Sequence, residues 1–150
     1  MKRLIAALIL IPALAVPALA TMQSGSMDKM EDKAKMDMQA HTANTVRPFT
    51  TAALAAAQRA GSPILVSVHA DWCPTCRAQA PVIAALAADP ANANVVFLRV
   101  NFDTQRAERT ALRATSQSIL IAYRGRREVG RLQGVTDAGQ IGRLVASTRS

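Results

Sequence analysis

Only two residues of this chain have a type and spacing that announce a reaction, and both are cysteines. They stand in Trp72-Cys73-Pro74-Thr75-Cys76, with two residues between them. Thiols at that spacing can cycle between dithiol and disulfide, or can supply half of a tetrahedral metal site. A disulfide between them would close so small a loop that it removes little chain entropy, which argues against a purely structural bridge. A four-thiolate metal site needs two more cysteines than the sequence has, and the histidines are His41 and His69 alone. Where the motif sits in the fold therefore chooses between the readings: a strand–helix junction favours redox chemistry, a loop favours metal.

The flanking segments put the motif at such a junction. Ile64–Ala70 (ILVSVHA) is a short apolar run rich in branched side chains, which suits a buried strand. Arg77–Ala88 (RAQAPVIAALAA) suits a helix ending near Asp89-Pro90, with Pro81 inside it and expected to kink it. A thiol at the start of that helix faces unpaired amide hydrogens and the positive end of the helix dipole, and both lower its pKa. Cys73 is thus expected at the cap, exposed and activated. Cys76 is expected one turn in, shielded, and placed to attack a mixed disulfide formed on Cys73.

The remaining elements follow from periodicity and punctuation. Thr50 or Thr51 can cap a helix over Ala52–Ala60, with Gly61 as its left-handed stop. Val95–Asn101 is a second strand, and Thr104–Thr115 (TQRAERTALRAT) is helical by composition. Ile119–Tyr123 is a third strand, turned around Gly125 into a hairpin partner, Glu128–Gln133. Asp137 caps a last helix, Ala138–Ser147, whose apolar face is Ile141, Leu144 and Val145. Alternating units closed by a hairpin imply an α/β fold with a central mixed β-sheet and helices on both faces.

From Phe49 to about Thr148 the chain resembles the thioredoxin-fold family. The resemblance rests on the strand ILVSVHADWC, the C-x-x-C pair, Pro81 after it, VNFD after the next strand, and the hairpin Leu120–Gly134 (LIAYRGRREVGRLQG). It implies that Cys73 is the nucleophile, Cys76 the resolving thiol, and Trp72 part of the substrate-facing rim. Pro74 and Thr75, between the cysteines, would tune the redox potential. The departures are specific. Ser67 stands where the family usually carries a buried proton-relaying acid, and a serine cannot act as that base. Ser118 stands where the family places a cis-proline opposite the cysteines. Losing that proline removes a main-chain shape that docks substrate and can open the thiols to metal. A trans Gln117–Ser118 bond is expected, because a cis bond before a residue other than proline costs about 2.5–4 kcal/mol. Arg99 takes a place where many relatives have lysine. His69, where relatives often have an aromatic, is expected to be a rim or packing residue, with tuning of the Cys73 thiolate as the alternative.

Whole-chain composition conceals three unlike segments. The 150 residues are 50% hydrophobic and 19% charged, which excludes disorder of the whole. Aromatics at 3% exclude an aromatic-rich nucleic-acid platform. Residues 1–20 combine Lys2 and Arg3, an apolar run broken by Pro12 and Pro17, and Ala18-Leu19-Ala20, the layout of a signal peptide cleaved after Ala20. Residues 21–46 are polar and without burial periodicity, and read as a disordered tether. Residues 47–150 make the thioredoxin-like domain. The net charge of +8 and pI near 10.8 invite a nucleic-acid reading, but the domain's basic residues are thirteen arginines dispersed over helix and hairpin. That is a solvated face and not a groove-reading stripe, so no nucleic-acid partner is expected.

Met27, Met30, Met36, Met38 and His41 concentrate in the tether, where thioether and imidazole could chelate Cu(I); a methionine-rich spacer is the plainer reading. The expectation is an exported, periplasmic, monomeric thiol–disulfide oxidoreductase with no cofactor and no stable membrane insertion after cleavage. Its partners would be protein thiols and disulfides together with a redox recycling partner. A copper-handling protein and a non-catalytic binding module of the same fold are the rival expectations.

Overall fold

Thr50 opens the first helix, and it does so by satisfying a backbone group the helix leaves unpaired: its hydroxyl oxygen accepts from the Ala53 amide at 3.0 Å. In the computed structural model, which describes residues 44–150, this helix, α1, runs Thr51–Arg59. Gly61 follows it at φ 68°, the left-handed stop expected from the sequence. The segment 1–20 and the candidate ligands Met27, Met30, Met36, Met38 and His41 lie outside the described residues. Two residues assigned from sequence to the polar segment belong with the domain. Asn44 donates to the carbonyls of Asn92 and Val95, and Val46 packs against the core.

The chain order is β1 (Arg47–Pro48), α1, β2 (Pro63–His69), α2 (Pro74–Ala88), a 3-10 turn (Pro90–Asn92), β3 (Val96–Asn101), α3 (Arg106–Ala111), β4 (Ile119–Arg124), β5 (Arg127–Gln133) and α4 (Ala138–Ala146). The sheet order is β1-β3-β2-β4-β5. β3 pairs in parallel with β1 and β2, β4 pairs antiparallel with β2, and β5 pairs antiparallel with β4 at the sheet edge. This is the mixed sheet anticipated from the alternating pattern, with one strand more. β1 escapes sequence reading because it is two residues long, lies at an edge, and contains a proline that cannot donate to a ladder.

Alternation along the strands separates two apolar layers. Ile64, Val66, Val68, Leu98, Val100, Ile119 and Ile121 pack on one face with Phe49, Ala57 of α1 and Leu112 at the end of α3. Leu65, Phe97, Leu120 and Ala122 pack on the other with Ile83 and Ala87 of α2 and Ile141, Leu144 and Val145 of α4. Each fully buried branched side chain stabilises the fold by about 1.5–3 kcal/mol, so the central strands are the rigid base of the molecule.

Pro81 lies inside the motif helix, which continues from Pro74 to Ala88. The carbonyl that proline leaves without its helical donor belongs to Arg77, an exposed residue. The helix after β3 is shorter than its composition suggests. It stops at Leu112 because Arg113 turns left-handed at φ 53°, with its amide bonded to the Thr110 carbonyl and that of Ala114 to the Arg109 carbonyl.

Candidate active site

β2 ends at His69 and α2 begins at Pro74, so the motif occupies the joint between the central strand and the helix packed on its face. Cys73 is the N-cap, and Pro74 is the first helical residue, where its fixed φ fits and its missing amide costs nothing. Cys76 lies one turn in. Its amide donates to Cys73 Sγ at 3.4 Å, and its own sulfur, 1% exposed, reaches the Val68 carbonyl at 3.9 Å. The two sulfurs pack with Ala70 and against Phe102.

The predicted exposure of Cys73 is corrected: the residue is 4% exposed. The loop before β4 closes over it and brings in the side chain of Ser118. The Ser118 hydroxyl lies 3.3 Å from Cys73 Sγ and 3.1 Å from Cys76 Sγ. The Cys73 thiol is brought down from the ordinary 9.0 to about 7, first by the Ser118 hydroxyl and then by the Cys76 amide, against burial, which pushes it up. The Cys76 side chain and the Thr75 amide add smaller pulls in the same direction. Activation thus comes from hydrogen bonds to the thiolate, which a helix N-terminus alone would supply only in part.

Ser118 is held from three sides. Its amide donates to the Val68 carbonyl of β2 at 2.9 Å, and its carbonyl accepts from the Gly134 amide at 2.9 Å and from Gln79 Nε2 at 3.3 Å. Its φ is 62°, a conformation closed to proline, whose ring holds φ near −65°. Gln79 also donates to the Val135 carbonyl at 2.8 Å and is 2% exposed. Sequence reading passed over Gln79. Its signal was there: Cys76, Gln79, Ile83 and Ala87 form the buried stripe of α2, and one member of that stripe is polar.

The other residues singled out from sequence divide clearly. Trp72 is 57% exposed beside the sulfurs; its indole donates to both Asp103 carboxylate oxygens at 3.1 and 3.2 Å and meets Phe102 edge-to-face. Arg109 lies over the other partner of that contact, 3.8 Å from the Phe102 ring. Trp72 is therefore a fixed rim and not a loose flap. Ser67 is buried, and its hydroxyl donates to the Leu98 carbonyl at 3.3 Å. His69 bonds Asp71 at 3.2 Å and lines a shallow cleft of about 280 Å³ with Arg47, Arg99 and Asn101. Ser67 and Arg99 are neighbours in register between β2 and β3. Cys73, Cys76, Trp72, Pro74, Thr75 and Ser118 are thus brought together, while Ser67 and His69 spend their polar atoms elsewhere. Among the described residues no group of three or more His, Cys, Asp or Glu side chains could hold a metal ion.

The comparisons with known proteins agree with this geometry. The thioredoxin family profile matches residues 45–147. A thioredoxin of Echinococcus granulosus is 29% identical over 87 residues, which span 58% of this chain and 79% of that protein. Among solved structures, Trxlp from Edwardsiella tarda is 40% identical, with a TM-score of 0.65, over 67% of this chain and 98% of that one. The thioredoxin of Fasciola hepatica is 25% identical, with a TM-score of 0.61, over 69% of this chain and all of that one (100%).

Proposed function

The chain belongs to the thioredoxin family and is a thiol–disulfide oxidoreductase, and from that premise we propose that it exchanges disulfides with exported proteins in a bacterial periplasm. The observation that carries the reading is the placement of Cys73. Its sulfur is the cap of α2, receives the Ser118 hydroxyl and the Cys76 amide, and has Cys76 one helical turn behind it.

The exchange proceeds in two displacements. The Cys73 thiolate attacks one sulfur of a substrate disulfide; the S–S bond breaks, and the other substrate sulfur leaves as a thiolate that takes a proton from water. Cys76 loses its proton to water and attacks Cys73 Sγ; the Cys73–Cys76 bond forms as the mixed disulfide breaks, and the second substrate sulfur leaves as a thiolate that takes a proton from water. Two electrons pass from the enzyme to the substrate, and a recycling dithiol partner returns them. Run backwards, the same steps oxidise a substrate dithiol. Trp72, exposed and braced by Asp103, forms the rim against which a protein substrate rests.

Export is supported by Lys2 and Arg3, the apolar run after them, and Ala18-Leu19-Ala20. Among the described residues no helix is long and apolar enough to cross a membrane. Cys73→Ser is expected to abolish reduction of insulin disulfides by dithiothreitol above the uncatalysed rate, and the chain recovered from the periplasm should begin at Thr21. Full turnover by the variant would overturn the mechanism, and a cytoplasmic chain starting at Met1 would overturn the location.

A further inference from the structure

The buried hydroxyl at the centre of the site faces two sulfurs, yet it carries a single proton. A hydroxyl donates one hydrogen bond and accepts up to two. With Cys73 Sγ at 3.3 Å and Cys76 Sγ at 3.1 Å, Ser118 can donate to one sulfur while accepting an S–H from the other, but cannot donate to both. The two displacements of the exchange need a thiolate on Cys73 first and on Cys76 second. We propose that the Ser118 hydroxyl is a catalytic donor shared in turn by the two sulfurs, holding the Cys73 thiolate before attack and rotating to the Cys76 thiolate as it resolves the mixed disulfide. The proposal rests on the exchange reaction given above.

Three observations beyond the two distances support it. Ser118 is 5% exposed, so water does not compete for its hydroxyl. Its main chain is pinned by Val68, Gly134 and Gln79, so the hydroxyl turns about a fixed pivot. The charged groups around the motif are engaged elsewhere: His69 with Asp71, Arg77 with the Asp71 carbonyl, and Asp103 with the Trp72 indole. Ser67, the buried hydroxyl on β2, is committed to the Leu98 carbonyl. Once Cys73 is bonded to a substrate sulfur it no longer carries charge, and the donor that held it is released. At that moment Cys76 becomes the anion, and the same hydroxyl lies on it without any movement of the backbone.

The test uses the intact reduced chain with Ser118→Ala, Ser118→Gly and Ser118→Thr. Glycine removes the hydroxyl while easing the backbone at φ 62°, so a purely structural role for Ser118 predicts a fold at least as stable and an unchanged thiol. The proposal predicts that the Cys73 midpoint, read by thiolate absorbance and alkylation against pH, moves in Ser118→Ala and Ser118→Gly from about 7 toward 9.0. A shift of about one unit would lower alkylation at neutral pH about fivefold, and Ser118→Thr should restore the wild-type midpoint. For the second step, an aromatic disulfide reagent loads Cys73 with a chromogenic aryl thiol, and Cys76 then expels it. That release should slow in the two variants without a hydroxyl and recover in the threonine variant. An unmoved midpoint in both Ser118→Ala and Ser118→Gly, or release at the wild-type rate, would overturn the proposal. Neither readout uses a protein substrate, so failure here is distinct from a wild-type chain that does not reduce insulin.

Discussion

Arg113 and Ser118 both turn left-handed in the loop that joins α3 to β4, at φ 53° and 62°, and they share little else. Arg113 is the stop of a helix. Its amide and that of Ala114 close the last turn on Thr110 and Arg109, its carbonyl accepts from Arg131, and its guanidinium extends into solvent near Glu128. The side chain plays no part in the turn, so the strain is a local cost that a glycine would remove. Ser118 is buried, its amide and carbonyl are both bonded across the sheet end, and its hydroxyl meets both reacting sulfurs. The same backbone angle is therefore incidental at one position and functional at the other. A side chain held at positive φ becomes informative when its own atoms touch the chemistry.

Substitutions at the two positions should separate the two kinds of strain. The largest effect is expected from Ser118→Pro, which installs the residue the family usually carries there. It forces φ away from 62° and removes the amide that satisfies the buried Val68 carbonyl. Strain, together with a buried Val68 carbonyl left with only the distant Cys76 thiol, should cost about 2–4 kcal/mol, measured by urea unfolding of the reduced chain. A proline variant as stable as the wild type would show that this loop re-forms around the ring.

Arg113→Gly should go the other way. Relief of the left-handed penalty, about 1–2 kcal/mol, outweighs the added freedom of the unfolded chain, for a net gain of about 0.5–1 kcal/mol with insulin reduction unchanged. The ion pair given up, Arg113 to Glu128 at 3.9 Å on the surface, contributes little.

The finest distinction is a slope against pH. Because the folded chain holds the Cys73 thiol at about 7 and the unfolded chain leaves it at 9.0, the unfolded state binds more protons between those values. Stability of the reduced protein from this group is lost as pH falls through 7, grows as pH rises toward 9, and is complete above it. Melting temperatures of the reduced chain, referenced to Cys73→Ser across that window, should keep this rise in Arg113→Gly and lose most of it in Ser118→Gly.

How far the sequence could be read depended on the range of the interactions involved. The strand before the motif, the cap at Asp137 and the stop at Gly61 are set by neighbours within a few residues, and each stands where its local pattern places it. The early end of α3 was hidden because Arg113 has no glycine-like signature, although it takes a glycine's conformation. β1 was hidden because two residues cannot show a period. Gln79 was legible only as a polar interruption in an apolar stripe, and the two carbonyls it bridges belong to remote segments.

The order of residues alone established the chemistry: two thiols a helical turn apart, at the end of a buried strand and the start of a helix. That much is covalent spacing and local propensity, and no tertiary contact could have changed it. The environment of those thiols was decided only in three dimensions. Cys73 is enclosed because a loop more than forty residues further on folds across it, and its thiolate is stabilised by Ser118, 45 residues away along the chain. Hydrogen bonds and desolvation act over a few ångströms of space and take no account of separation in sequence, so the reactivity of the pair is a property of the closed fold.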